Sequence, residues 1–263
     1  MDGTWLILQA DDLGACPAIT DGILAAHAEG LVTQASVIMP ASDSARALGL
    51  ARRSGLPVGV HLALMCEWEV DRWPPLTAAP SLRGADGALL PGLTELRRSA
   101  TRQDTVDELR AQVAAAAAAI DITHLDSHIG VCDADWLSHV AAESGLPSRD
   151  PVPPPGRTLA LDSLWHLSLR PADTKTDDLI AYVTGLGPGV HMIVAHPALD
   201  GPDLRALCSP ASRRWKWAVD IRLSDLASLR DPRFLRACTD RGVALTSVAA
   251  MARAGGGTTM RTP

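Results

Sequence analysis

The stretch WLILQADDLGACPAITDGI, residues 5–23, decides the fold class of this 263-residue chain. It begins with an unbroken apolar run, residues 5–10, which is typical of a strand buried on both faces. Asp11 and Asp12 end that run, and Pro17 then stands where a first helical residue is expected. The stretch therefore predicts a strand followed by a helix, with two like charges side by side where the strand stops.

The alternation of strand and helix continues along the chain. Further strands are predicted at 33–40, 57–64, 122–128, 191–197 and 243–248. Helices are predicted at 44–55, 105–120, 136–144, 173–185 and 231–242. Thr105 and Glu108 match a capping box at the start of the long helix, and residues 161–169 fit either strand or helix. Strands separated by helices predict a parallel α/β sheet with helices outside it, and leave barrel and open sheet as alternatives.

The length suits a single α/β barrel, so we expect one domain over residues 1–253. The alternation of strand and helix is interrupted between residues 65 and about 103, where Pro, Gly and Trp are frequent. A segment of this length predicts a lid or a substrate-binding insertion, with a structural excursion as the alternative. Residues 254–263 are expected to be a disordered tail.

Composition excludes several classes of function. The formal net charge is −6, and the only basic cluster is RRWK at 213–216, so a nucleic-acid partner is not expected. Five scattered cysteines predict free thiols rather than disulfides or a structural zinc site. No segment has the roughly 20 apolar residues of a membrane span, and the N-terminal apolar run is shorter than that of a signal peptide. We therefore expect a cytoplasmic protein; a homodimer is neither predicted nor excluded.

Polar residues stand at the C-terminal ends of four predicted strands. These are the pair Asp11 and Asp12, then His61, then Asp126 with His128, and finally His196. The C-terminal edge of a parallel sheet is where α/β proteins bind ligands. Their recurrence at this edge predicts a functional site there.

Spacing within the strands indicates which side chains share a face. His124, Asp126 and His128 alternate with other residues, so a strand would direct all three to one side. His61 lies between small residues, including Gly59, which would leave room around an imidazole. His27, His139 and His166 lack such a setting and are interpreted as core histidines.

The adjacent aspartates favour a bound cation, because two carboxylates in contact repel unless a positive charge lies between them. One aspartate and two histidines form a suitable catalytic set for zinc or a similar divalent ion, with a ligand position left open. The other aspartate could then handle a proton. The alternative is that Asp12 is only a helix N-cap.

At these residues the sequence resembles the YdjC or ChbG family of carbohydrate deacetylases, which includes hopanoid-biosynthesis members. The resemblance rests on ADDLGACPAITDGILAAHAEGLVTQASVIMP, VGVHLAL, THLDSH, AHP and LRACTDRGVALTSV, in that order. It implies a TIM-like (β/α) barrel, irregular or with fewer than eight strands. It also implies removal of an N-acetyl group from an amino sugar with the help of one divalent metal ion, Zn²⁺ or else Mg²⁺.

Carried over by position, the resemblance assigns roles to individual residues. Asp12, His61 and His128 would hold the metal, Asp11 would be the general base, and His196 would be the acid or a residue that lines the site. Asp126, within the H-x-D-x-H stretch that also contains His124, would orient a neighbouring group.

The sequence departs from the resemblance at three positions. Gly130 and Cys132 stand where relatives carry histidines, and Met192 stands where an acidic residue is common. A catalytically silent sugar-binding barrel is therefore one alternative function, and a metal phosphoesterase is a second. A receiver domain is disfavoured, because the chain is twice too long and its remaining polar positions are histidines.

The tryptophans raise a separate question about sugar recognition. Trp68 and Trp73 lie in the insertion, where they could stack on a sugar or simply pack. Core packing is the expectation for Trp5, Trp165, Trp215 and Trp217.

Overall fold

A computed structural model describes residues 3–130 and 132–255. The described strands are β1 (Thr4–Leu13), β2 (Gln34–Val37), β3 (Val58–Leu62), β4 (Ile122–Ser127), β5 (Pro147–Ser148), β6 (Arg157–Thr158), β7 (Ser163–His166), β8 (Gly189–Ala195) and β9 (Val243–Thr246). The described helices are α1 (Pro17–Ala28), α2 (Ser44–Ser54), α3 (Leu93–Ser99), α4 (Arg102–Ala117), α5 (Ala134–Ser144), α6 (Lys175–Thr184), α7 (Pro202–Ala206), α8 (Ile221–Arg230), α9 (Pro232–Asp240) and α10 (Val248–Gly255).

The named strands form one sheet in the order β6-β5-β4-β3-β2-β1-β8-β7, and every pairing between them is parallel. β9 joins at β1, which pairs with β9 through residues 4–7 and with β2 through residues 9–13. β1 is thus the central strand, and its residues 4–10 also pair with β8. The result is a curled sheet surrounded by helices, an irregular TIM-like α/β barrel, and the predicted fold class is confirmed.

Alternation along β1 separates the two sides of the sheet. Leu6, Leu8 and Ala10 belong to the large core between sheet and helices. Ile7 belongs to a smaller cluster inside the barrel, where it is grouped with Met192 from β8. Continuing inward along β1, Gln9 is fully buried and precedes the acidic pair. The barrel interior therefore changes from apolar to polar towards the C-terminal ends of the strands.

The long helix α4 begins earlier than the capping box predicted. Thr101 is its N-cap and accepts a hydrogen bond from a backbone N–H of the first turn. Thr105 and Glu108 are buried inside the helix instead. The Glu108 carboxylate accepts a hydrogen bond from the Thr77 N–H at 2.9 Å, which ties the insertion to the helix. The sequence match was misleading because these two side chains serve tertiary contacts.

The insertion packs onto the barrel. Trp68, Trp73, Leu82 and Leu89 belong to the same core as the outer face of β1. Four helices, α3, α7, α8 and α10, were not predicted, and α10 extends into the start of the predicted tail. Residues 256–263 of that tail lie outside the described residues.

Two compositional predictions can be compared with the structure. All five cysteines are free, and four of them, Cys16, Cys66, Cys208 and Cys238, are buried. Within residues 3–130 and 132–255, no helix combines the length and the apolar character needed to cross a membrane.

Candidate metal centre and active site

A bulge in β1 brings both aspartates of the first motif into the site. Neighbouring residues of a regular strand point to opposite faces, so Asp11 and Asp12 could not both face inward. The β1–β2 register shifts between Ala10 and Leu13, and two residues of β1 stand opposite one residue of β2. Asp12 adopts φ 70°, a left-handed conformation that Asp tolerates better than most residues. The bulge turns both carboxylates into the barrel mouth.

Three side-chain atoms from three parts of the chain meet at one point. Asp12 Oδ1 lies 3.2 Å from His61 Nε2 and 3.3 Å from His128 Nδ1. The two ring nitrogens are 3.2 Å apart. All three residues are buried. The structure thus brings together Asp12, His61 and His128.

This donor set fits a divalent metal ion. Ligands about 2.0–2.1 Å from a tetrahedral zinc ion are separated from one another by about 3.3 Å, which is close to the separations observed. Asp12 Oδ1 is buried without a hydrogen-bond partner among the described residues. A buried oxygen left unpaired is costly, and a cation at this point would satisfy it.

A carboxylate binds the far side of each histidine ring. His61 Nδ1 lies 2.5 Å from Asp126 Oδ1, and His128 Nε2 lies 2.9 Å from Glu67 Oε2. A carboxylate accepts hydrogen bonds, so each of these ring nitrogens carries the proton. The opposite nitrogen of each ring is left to offer its lone pair towards Asp12, as in carboxylate–histidine–metal arrangements.

These contacts also raise the affinity of both rings for a proton. Burial alone would lower the pKa of His61, but Asp11 and Asp126 hold that pKa well above its usual value. Burial is likewise outweighed at His128, whose pKa Glu67 and Asp12 raise to about 9. A metal ion at this site would therefore displace protons as it binds.

Arg149 holds Asp11 at the side of this cluster. Its Nη1 lies 2.8 and 2.9 Å from the two oxygens of Asp11 and 3.3 Å from Asp126. Burial raises the pKa of Asp11, but Arg149 and then His61 outweigh it, so the pKa lies below its usual value. Oδ1 also accepts hydrogen bonds from Gln9 and Ser36, whereas Oδ2 accepts only from Arg149 among the described residues. Oδ2 therefore keeps a free lone pair.

Arg222 anchors the other aspartate. Its Nη2 lies 2.6 Å from Asp12 Oδ2, which leaves Oδ1 as the oxygen that faces the histidines. Burial raises the pKa of Asp12, yet Arg222 and the two histidines hold it well below its usual value. Asp12 is therefore a carboxylate ready to bind a cation.

When His61 and His128 are neutral, as metal ligands must be, the cluster carries an excess of negative charge. The carboxylates are Asp11, Asp12, Asp126 and Glu67, and the guanidinium groups in contact with them are Arg149 and Arg222. With neutral histidines these groups carry a formal charge of −2. One divalent cation would neutralise the cluster, which is the cheaper state for charges removed from water.

His196 follows β8 at the same edge of the sheet. Its Nδ1 lies 2.7 Å from Ser168 Oγ, and its backbone N–H donates to Asp225 Oδ2 at 2.9 Å. Burial lowers the pKa of His196, against the opposing charges of Asp12 and Asp11. His196 thus lies within the electrostatic influence of both aspartates.

His124 lies one layer deeper in the barrel. Its Nε2 is 3.5 Å from Asp126 Oδ2, and both residues are fully buried. A Cβ on Gly59 would meet the His124 ring at 2.5 Å. The small residue predicted to make room for His61 therefore makes room for His124, because the strands stagger within the barrel.

Trp68 and Trp73 take the packing alternative, whereas Trp217 departs from its prediction. Trp68 and Trp73 are only 1% exposed, so their rings are covered and cannot stack on a sugar in this conformation. Trp68 lies under Arg222, and Trp73 packs against His128 with ring centroids 5.7 Å apart. Trp217, expected in the core, is 43% exposed. It is exposed because it lies in a helical turn at the surface, and its carbonyl accepts a hydrogen bond from Arg222.

The turn after His128 is strained. Ile129 has φ 58° and Gly130 has φ 62°, and Ile129 is β-branched, for which a left-handed conformation is unusual. A Cβ on Gly130 would meet no atom within 4 Å. A side chain at this position would therefore meet open space. Cys132 is half-buried.

Several members of the site were missed from the sequence. They are Gln9, Ser36, Glu67, Arg149, Ser168, Lys175, Arg222 and Asp225. Arg149 directly follows β5, so the strand-end rule would have found it had this two-residue strand been recognised. Arg222 and Asp225 lie on an unpredicted helix, and nothing in their local sequence distinguishes them from surface charges.

The fold and the donor set define a (β/α)-barrel protein with a buried site able to hold one metal ion. The family model described as YdjC-like protein matches residues 5–240, and the chain belongs to that family. A carbohydrate deacetylase from Thermus thermophilus is 33% identical over 222 residues, covering 77% of this chain and 80% of the relative. A carbohydrate deacetylase from Geobacillus stearothermophilus is 30% identical over 251 residues, covering 92% and 95%.

A solved structure supports the fold independently. A protein from Enterococcus faecalis, described as a candidate cellobiose-phosphate cleavage protein, superposes with a TM-score of 0.76 at 23% identity. The match covers 95% of this chain and 99% of that one. The insertion and the barrel therefore belong to one shared architecture.

Proposed function

We propose that this protein is a metal-dependent hydrolase that removes the N-acetyl group from an amino sugar. The observation that carries the proposal is the convergence of Asp12 Oδ1, His61 Nε2 and His128 Nδ1 within 3.3 Å of one another. The names of the related carbohydrate deacetylases support the same substrate class.

Asp12, His61 and His128 would hold the metal ion. When bound there, a zinc ion would supply Lewis acidity towards the amide oxygen and lower the pKa of a water molecule. Two imidazoles and one carboxylate suit zinc better than magnesium, which prefers oxygen ligands and keeps several waters.

Asp11 is proposed as the general base. Arg149 fixes its carboxylate from one side and keeps it ionised, while Oδ2 retains a free lone pair. This oxygen lies 4.0 Å from His61 Nδ1, beside a metal-ligating ring. Asp11 can therefore accept a proton from an attacking water without itself binding the metal.

His196 is proposed as the general acid. Amide cleavage releases acetate and an amine, and the departing nitrogen must gain a proton as the C–N bond breaks. Protonated His196 would donate that proton, and the proton taken up by Asp11 balances it over the cycle. Burial lowers the pKa of His196 despite the opposing charges of Asp12 and Asp11, which makes its protonated form a stronger acid towards the departing amine.

Arg149 argues for one metal ion rather than two. Asp11, His61 and Asp126 form a second group with metal-ligand geometry, but the Arg149 guanidinium contacts both carboxylates of that group. Arginine stays charged in proteins, so it would repel a second cation. A two-metal phosphoesterase is therefore disfavoured.

The test is acetate release from N-acetylglucosamine oligomers by purified protein. Elemental analysis before and after chelation establishes the metal content, and Zn²⁺ or Mg²⁺ is then added back. We expect activity to disappear with the metal and to return with one of these ions. Asp12→Ala and His61→Ala should lose both metal and activity. His139→Gln should keep both, because His139, interpreted from the sequence as a core histidine, is in fact exposed and lies outside the cluster.

Two results would overturn the proposal. Activity that persists after the metal has been shown to be removed would refute the metal-dependent reaction. Binding of the sugar by the metal-loaded protein without acetate release across acetylated sugars would favour the silent binding barrel instead.

A further inference from the structure

Three residues from separate elements form a buried chain of contacts behind His196. Lys175, the first residue of α6, is fully buried, and its Nζ lies 2.5 Å from Asp225 Oδ1 on α8. Asp225 Oδ2 accepts a hydrogen bond from the Ser168 hydroxyl and another from the His196 backbone N–H. Ser168 Oγ in turn contacts His196 Nδ1 at 2.7 Å. His196 is therefore held at its backbone directly and at its ring through Ser168.

The direction of each hydrogen bond follows from the donors available. Asp225 is paired with a lysine and so is an ionised carboxylate, which only accepts. The single hydroxyl proton of Ser168 must point to Asp225, so Ser168 Oγ can only accept from His196. His196 Nδ1 must then carry a proton. In the neutral ring this leaves Nε2 as the lone-pair nitrogen, and Nε2 makes no hydrogen bond with any residue of the described ranges.

Stability alone does not account for the charged pair at the end of this chain of contacts. Replacing a buried ion pair by a well-packed apolar pair is often neutral or stabilising, so burial of Lys175 and Asp225 is weak evidence for a purely stabilising role. What an apolar pair could not do is keep Ser168 oriented as an acceptor. Without Asp225, the hydroxyl could rotate and donate to Nδ1, which would select the opposite tautomer of His196.

We propose that Ser168 is a positioning residue that keeps the proton of neutral His196 on Nδ1, with the Lys175–Asp225 pair fixing the direction of the Ser168 hydroxyl. The Nε2 atom of His196 is then left free to exchange a proton with the substrate. The inference rests on the role of His196 in the proposed function. It concerns the Nδ1 side of the ring, and it places Lys175, which no sequence pattern singled out, in the support of the site.

The tautomer can be measured without any substrate. We would record two-bond ¹⁵N–¹H correlation spectra of the full-length, zinc-loaded protein with ¹⁵N-labelled histidine, above the pKa of His196. His196→Gln identifies the His196 signals among the eight histidines. The parent protein should show the Nδ1–H form. An Nε2–H form in the parent would overturn the proposal by itself, with no variant needed.

Variants then test whether Ser168 is responsible. Ser168→Ala should lose the pure Nδ1–H form, and Ser168→Thr, which keeps the hydroxyl, should retain it. Ser228→Ala is the matched control, since Ser228 is buried on the same helix as Asp225 but bonds Thr176 instead. A Ser168→Ala spectrum identical to that of the parent would contradict the role given to Ser168.

Kinetics separate this inference from the proposed function. In Ser168→Ala, kcat for acetate release should fall at least about ten-fold, a part of the 10²–10⁴-fold that a general acid contributes, while KM stays within about two-fold. The alkaline limb of the pH profile should move to lower pH, because the imidazolium loses an acceptor at Nδ1. If no acetylated sugar is turned over but the tautomer changes as expected, the proposed function fails and the positioning role stands.

Discussion

Glu67 offers the sharpest test of how the candidate metal centre is built. Its carboxylate oxygen lies 2.9 Å from His128 Nε2, on the side of the ring opposite to Asp12. It therefore fixes both the orientation and the tautomer of a metal ligand without reaching the metal position itself. The substitution Glu67→Gln keeps an oxygen that can accept this hydrogen bond but removes the negative charge. Glu67→Ala removes both.

The magnitude follows from what each variant loses. Removal of a carboxylate behind a metal-binding histidine typically lowers metal affinity about 10- to 100-fold. Glu67→Gln should fall near the lower end, about ten-fold or ~1.4 kcal/mol, because the ring remains oriented. Glu67→Ala should approach about 100-fold, or ~2.7 kcal/mol, because the ring also loses its anchor.

The assay is competition for Zn²⁺ between the protein and a chromophoric chelator of known affinity, at one fixed pH. Glu69→Gln is the matched control, since Glu69 lies two residues away in the same loop but accepts from the Ser209 N–H and faces Arg214. Its zinc affinity should stay within about two-fold of the parent value. If both Glu67 variants fold and bind zinc as tightly as the parent, the carboxylate does not support the metal ligand and this account of the centre is wrong.

Four further predictions concern the bulge, the helix packing and the strained turn. Asp11→Asn should retain zinc but lower kcat by about 10²–10⁴-fold, because the base is lost while the ligands remain; normal turnover would exclude Asp11 as the base. Asp12→Asn should weaken zinc binding in the same chelator competition, and unchanged affinity would contradict its role as ligand. Gly22→Ala should destabilise the protein by about 1–3 kcal/mol in urea unfolding, because the new Cβ would lie 2.5 Å from the backbone of the segment that follows β8. The control Gly49→Ala should be neutral or stabilising, because the nearest atom to its Cβ is 3.6 Å away on a flexible arginine side chain. Ile129→Asn should raise Tm by about 2–4 °C, because Asn tolerates the left-handed backbone at this exposed position and relieves about 1 kcal/mol of strain. A lowered Tm would show instead that packing of the Ile129 side chain contributes more to stability than the strain costs.

The sequence pointed to the candidate site through polar residues at the C-terminal ends of the predicted strands, a rule with a physical reason. Parallel strands bring their C-terminal ends to one edge, so residues as distant in sequence as Asp12, His61 and His128 can be grouped without knowing the coordinates. The same rule could not reach Arg222, Asp225 or Glu67, because those side chains come from a helix and a loop whose approach to the edge depends on packing.

Local patterns misled where tertiary contacts claimed the same residues. Thr105 and Glu108 have the spacing of a helix cap, yet Glu108 is used to bind the insertion. For Trp68 and Trp73 the sequence left sugar stacking and packing open, and the structure buries them against Arg222 and His128. The residue type limits what a side chain can do, whereas its burial depends on which other part of the chain packs against it.

By itself, the sequence was sufficient for the alternation of strands and helices, the parallel sheet and the edge at which the acidic and imidazole groups collect, because periodicity and strand ends are local properties of the chain. Only the tertiary structure decided that a bulge turns both Asp11 and Asp12 inward. It also decided that Arg149 pairs with the first of these carboxylates and Arg222 with the second, and that Ser168 and Asp225 hold His196 in place. Those arrangements depend on register, on buried charge balance and on contacts between residues 28 to 210 positions apart, and no local pattern encodes them.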